Sequence, residues 1–241
     1  MAQLIDRTLR KLREHRFLRG CRAVLSTSPA RVREDGVVIF SMIGTRVLLP
    51  YLVAAKSFQA QLGRGRFAIL DDGTLTAADK EVLAHHLGNP PITPIASVDT
   101  GPCPRGGTWE RLLTILDLRQ GDYVIQIDSD VVALGPVGEV AAAQGKAAPG
   151  GEGRALAEAF SQEAERLLGA DYWAEWGSEQ VTSNFVVANE PEARLLPYDR
   201  YLNFWNEPVS EGAGLVHFIG TYRYHRGAYL AAARRAIAAL R

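Results

Sequence analysis

Apolar residues along this chain gather into short unbroken runs, and between the runs they recur at helical spacing. The runs GVVIFSMIG (36–44), RFAIL (66–70), PITPIAS (91–97) and YVIQI (123–127) have the length and β-branched content of strands, bounded by Gly, Pro or Asp. Between them, LLPYLVAAKSFQAQL (48–62) predicts a helix, with Pro50 in its first turn where a missing N–H does no harm. Asp72-Gly73 marks a turn, and Thr76 followed by Asp79 predicts a capping-box start to the next helix. TWERLLTILDL (108–118) is a third helix. Strands alternating with helices in this way imply an α/β, Rossmann-like fold, its central sheet mostly parallel and flanked by helices.

Later segments are less regular. Residues 141–170, rich in Ala, Gly and Glu, predict a loop leading into a surface helix. NFVVAN (184–189) predicts a strand, and AYLAAARRAIAALR (228–241) a basic amphipathic helix. At the other end, residues 1–35 are a basic amphipathic helix and a link, ahead of one domain over 36–241. In that first helix Leu4, Ile5, Leu9 and Leu12 recur at helical spacing, with Arg7, Arg10, Lys11, Arg13 and Arg16 crowded among them. Such a helix can lie on an anionic membrane surface, or pack on its own domain or on a second subunit.

Composition narrows the classes. The 241 residues are 47% hydrophobic, enough for one sizeable core, and the formal charge of +0 gives no footprint for nucleic acid. Cys21 and Cys103 are the two cysteines, in no metal-ligand spacing, which is the pattern of a reducing compartment. No apolar run reaches bilayer length, and no signal-peptide core follows the basic start, so a cytoplasmic protein is expected, with peripheral membrane contact left open.

The chemistry gathers at IDSD (127–130). Asp128 and Asp130 follow an apolar strand, at the carboxyl end where open α/β sheets bind ligands. Two carboxylates held together repel unless one is protonated or a cation sits between them. A divalent ion with hard oxygen ligands, Mg²⁺ or Mn²⁺, resolves this; a solvated turn with two incidental acids is the plain alternative. His217, on the apolar segment LVHFIG, is a candidate third ligand, and its imidazole tilts the preference toward Mn²⁺. Arg223, His225 and Arg226 follow, and arginines there suit an anionic ligand such as a diphosphate.

Taken in order, the strand-helix units, YVIQIDSD and then HFIGTYRYH resemble the GT-A-fold glycosyltransferases. The likeness is to family 8, which includes glycogenin and the bacterial lipopolysaccharide galactosyltransferases, and it spans about Gly36 to His225. The resemblance implies Mn²⁺ (or Mg²⁺) on Asp128, Asp130 and His217, with Asp128 and Ser129 at the nucleotide. It further implies Gly220 letting backbone approach the diphosphate, Arg223 as the cation on the leaving phosphates, and Arg111 reaching the donor sugar or the first acid. SEQVTSNF (178–185) is similar to the family's segment beside the donor sugar, which makes Glu179, Gln180 and Asn184 catalytic candidates. The family's closing KPW is RYH here, and SMIGT after the first strand lacks its usual polar residue for the base. A nucleotide-sugar donor, weakly UDP-linked, and an unidentified acceptor are the implied partners, with configuration retained.

Two other readings stand beside this one. A sugar-1-phosphate nucleotidyltransferase would use MIGTR (42–46) as a partial phosphate loop; a non-catalytic nucleotide-sugar-binding protein would keep the site without turnover. In DYWAEWG (171–177), Trp173 and Trp176 either wall a sugar or fill the core. His85 and His86 are expected at the surface, and Cys103 is expected as an incidental loop thiol.

Overall fold

The computed structural model describes residues 2–143, 152–175 and 177–241. Strands β1 (Val37–Ile43), β2 (Arg66–Asp71), β3 (Ile92–Pro94) and β4 (Tyr123–Gln126) form an all-parallel sheet in the order β3-β2-β1-β4. β1 is interior and buried at every residue but Met42, which is why its sequence reads as an unbroken apolar run. Its period-2 alternation splits two cores. Ile39 and Ile43 face α2 (Leu48–Leu62), whereas Val38 and Phe40 pack toward Ile115 and Leu118 of α4 (Trp109–Leu118). Helices thus cover both faces, as the alternation of elements predicts.

Helix α3 (Ala77–Leu87) begins with both halves of the Thr76–Asp79 capping box in place. From β1 the chain steps outward through β2 to β3, then α4 carries it back to the far side of β1 as β4. The strand order therefore reverses between β1 and β4, which opens a crevice at their carboxyl ends. β4 differs from the fully buried strand its sequence suggests. It lies at the sheet's edge, half-buried, with Gln126 exposed.

Beyond the crevice, β5 (Val131–Ala133), β6 (Tyr201–Asn203) and β7 (Leu215–His217) form a second sheet in the order β5-β7-β6. Between β5 and β6 come α5 (Gly138–Ala143), α6 (Gly153–Leu168), α7 (Ala170–Trp173) and α8 (Ser178–Ala188). α8 corrects the expectation of a strand over 184–189. Its β-branched residues look strand-like, but Thr182 and Val186 are buried four apart on one helical face, and Phe185 stacks on Phe160 of α6. Trp173 fills the core there, its Nε1 donating to Ser161 Oγ at 2.8 Å, so it does not wall a sugar site. Trp176 lies outside the described residues.

Helix α1 (Ala2–Cys21) packs on the C-terminal α9 (Ala228–Ala239), with Phe17 stacked on Tyr229 at a ring separation of 3.9 Å. Cys21 and Val24 join the main core, while Leu9 and Leu12 stay exposed. His86 also departs from expectation: it is 3% exposed, and its Nδ1 lies 3.2 Å from the buried Lys56 Nζ. The spacing Leu83-His86-Leu87 puts it on the helix's apolar face. Cys103 is buried against α4 rather than loose in its loop. Among the described residues no helix is long and apolar enough to cross a membrane.

Candidate metal centre

Leaving β4, the chain is held beside β1 by two bonds: Ile127 N donates to Phe40 O at 3.0 Å, and Ser41 Oγ donates to Ile127 O at 2.7 Å. The segment 127–130 therefore runs across the mouth of the crevice. β5 then pairs antiparallel with β7 in a register that sets Val131 opposite His217, and Phe218 N donates to Asp130 O at 2.9 Å. That pairing brings a histidine distant in sequence onto the two acids. His217 Nε2 lies 3.0 Å from Asp130 Oδ1 and 3.6 Å from Asp128 Oδ2. Candidate ligand atoms of all three residues fall within 4.8 Å of one another.

Two arginines supply opposing charge. Arg223 Nη2 pairs with Asp130 Oδ2, and its Nε donates to Phe218 O at 2.7 Å, which fixes the guanidinium over the acid. Arg111, from the first turn of α4, spans two carboxylates: Nη1 is 3.6 Å from Asp128 Oδ1, and Nη2 is 3.4 Å from Glu179 Oε1. Glu179 is buried at the start of α8, where it also accepts from Thr108 Oγ1 at 2.7 Å. Thr108 caps α4 with φ +78°, a left-handed conformation uncommon for a β-branched residue. Three carboxylates thus face two guanidinium groups, so the acids have protein counter-charges of their own.

Of the remaining candidates, Ser129 sits between the acids, its carbonyl 3.4 Å from Tyr229 Oη. Gly220 opens a 3₁₀ turn (Gly220–Tyr222) at φ +61°, with no atom within 4 Å of where a Cβ would stand. Gln180 and Asn184 share the exposed face of α8, away from buried Glu179 and Thr182, and are not brought to the cluster. Arg226 turns instead into a groove with Arg13 and Arg16. Sequence reasoning passed over Gln126, which donates to Asp128 Oδ1 at 3.1 Å, and Thr108. Gln126 had a signal: it is the one polar residue in YVIQI and lies two positions before Asp128, on the same side of the strand.

The donor set fits a small divalent ion. Neighbouring ligands on an octahedral ion with bonds of about 2.1 Å lie roughly 3 Å apart, close to the His217–Asp130 spacing. Two carboxylates with one imidazole suit Mn²⁺ better than Mg²⁺. Arg111 Nε is buried without a hydrogen-bond partner, so this guanidinium retains a donor beside the acids. No protein-family profile matches the chain, and no curated protein matches it.

Proposed function

We propose that the chain is a metal-dependent glycosyltransferase of the GT-A type, which moves a sugar from a nucleoside diphosphate donor to an acceptor hydroxyl. The observation that carries this reading is the convergence of Asp128, Asp130 and His217 at the carboxyl ends of a parallel sheet, where its strand order reverses. Those three residues hold Mn²⁺ (or Mg²⁺). When bound, the ion acts as a Lewis acid toward the diphosphate that departs.

The chain's own groups do the rest. Arg223 keeps a fixed positive charge where the leaving diphosphate gains negative charge. Gly220 leaves open space for phosphate oxygens to approach the backbone. Arg111 is steadied by buried Glu179, so its other nitrogen stays on Asp128 and the donor sugar's side of the site. Transfer with retention asks for no strong base at the acceptor, and Glu179, the third carboxylate beside the cluster, is already engaged by Arg111 and by the Thr108 hydroxyl.

Geometry favours this over the alternatives. A glycosidase sets its two carboxyl groups on opposite sides of a sugar, whereas Asp128 and Asp130 both lie against His217 Nε2, at 3.6 and 3.0 Å. A nucleotidyltransferase would offer backbone N–H groups from 42–46 to phosphates, yet Thr45 N already donates to Thr74 Oγ1 at 3.1 Å. The test is a panel of nucleotide sugars incubated with Mn²⁺ and assayed for nucleoside diphosphate. Release that is lost in Asp130→Asn supports the reading. Pyrophosphate formation from a nucleoside triphosphate and a sugar phosphate, without that release, overturns it.

A further inference from the structure

The formal charge of +0 hides a segregation. Residues 2–26 and 225–241 hold eleven Lys and Arg side chains against two acids, Asp6 and Glu14, and these segments are α1 and α9 with their flanks. The helices lie side by side, joined by the Phe17–Tyr229 stack and by Gly20, where a Cβ would stand 2.4 Å from Leu230 Cδ1. A groove of about 440 Å³ runs between them. Arg13, Arg16, Arg226 and Arg234 rim it over a floor of Phe17 and Leu230.

These four arginines form no ion pair among the described residues. Glu14 and Arg10 both act on Tyr224 at the groove's wall with opposite sign, so the four lining arginines set the charge of the rim. α9 adds to it, since the helix starts at Gly227 with no side-chain cap and no acid in its first turn. Like charges gathered around one cavity repel unless an anion joins them. Beside them, Leu9 and Leu12 are 43% and 61% exposed. On α1, Leu9, Leu12, Arg13 and Arg16 follow helical spacing and form one stripe.

We propose that the α1/α9 face docks on an anionic phospholipid surface, with the groove arginines on lipid phosphates and Leu9 and Leu12 at the headgroup boundary. The apolar stripe selects this partner over nucleic acid. Leucines gain burial in a bilayer interface, whereas binding single strands calls for exposed aromatic rings to stack on bases. The docking is independent of the transferase reading, because none of its residues belongs to the metal centre.

Co-sedimentation of the full chain with vesicles tests it. Binding is expected to phosphatidylcholine vesicles containing phosphatidylglycerol, to be absent with phosphatidylcholine alone, and to weaken with added salt. Each arginine removed should lower partition roughly fivefold, so Arg13→Ala with Arg234→Ala should lower it by more than roughly tenfold. Leu12→Gln should also weaken it, which a purely ionic site would not show. All three substituted side chains are exposed, so thermal melts should match the parent. Binding that is absent, equal on neutral vesicles, unchanged in the double variant, fully competed by inorganic pyrophosphate, or tighter to duplex DNA overturns the proposal.

Discussion

Arg223 closes over the same carboxylate of Asp130 that His217 touches from the other side. On the proposed reading a metal ion would share this acid with the guanidinium, and each would weaken the other's hold on it. That relationship explains how two acids sit at a sheet's rim: Arg223 and Arg111 each neutralise one of them.

Replacing Arg223 with alanine should move two affinities in opposite directions. Mn²⁺ alone should bind more tightly, by roughly fivefold, since a competing charge worth about 1 kcal/mol is gone. UDP in the presence of Mn²⁺ should bind more weakly, because the cation meant for its phosphates is missing. Calorimetric titrations of the metal and then of the nucleotide would show this crossing. A change in the same direction for both would mean that Arg223 is only a structural prop.

Arg111→Ala should cost stability as well as activity. It strips a buried glutamate of its one charged partner among the described residues, leaving Glu179 with the Thr108 hydroxyl. A loss of about 3 kcal/mol in urea unfolding is expected for stranding a buried charge of this kind. Glu179→Gln together with Arg111→Ala should recover part of that loss, because the stranded charge is then gone.

The Lys56–His86 pair gives the fold a pH signature. Burial, with nearby Lys56 and His85, pushes His86 down from 6.5 to about 4, so between those values the unfolded chain binds the extra proton. Stability from His86 is present above pH 6.5 and is lost as pH falls toward 4. Burial also lowers Lys56 from 10.5 to about 8, so its own contribution to stability should rise as pH climbs from 8 to 10.5. Each contribution is no more than about 3 kcal/mol. Urea melts between pH 8 and 9, below the range where the buried Cys21 thiol and Tyr51 phenol act in the opposite direction, should show a steeper rise in the parent than in Lys56→Met.

Much of the fold was legible because its signals are local. The capping box at Thr76–Asp79, Pro50 in a first turn and the apolar run of β1 each carry their own physics. α8 misled because Val186 and Val187 favour strands in isolation, and only contact with α6 shows which face is buried. The triad was readable from IDSD and HFIG, since strand ends are where this sheet type places ligands. The Arg223–Asp130 pair was not readable, because it depends on the turn after Gly220, and no spacing rule gives the direction of an arginine.

Titration of the chain with Mn²⁺, by calorimetry or by electron paramagnetic resonance of the free ion, tests the metal centre most directly. One bound ion is expected in the parent, lost in Asp128→Asn, Asp130→Asn and His217→Ala, while all three variants keep a cooperative melt. A parent that takes up no ion, or folded variants that bind it as tightly as the parent, would contradict it.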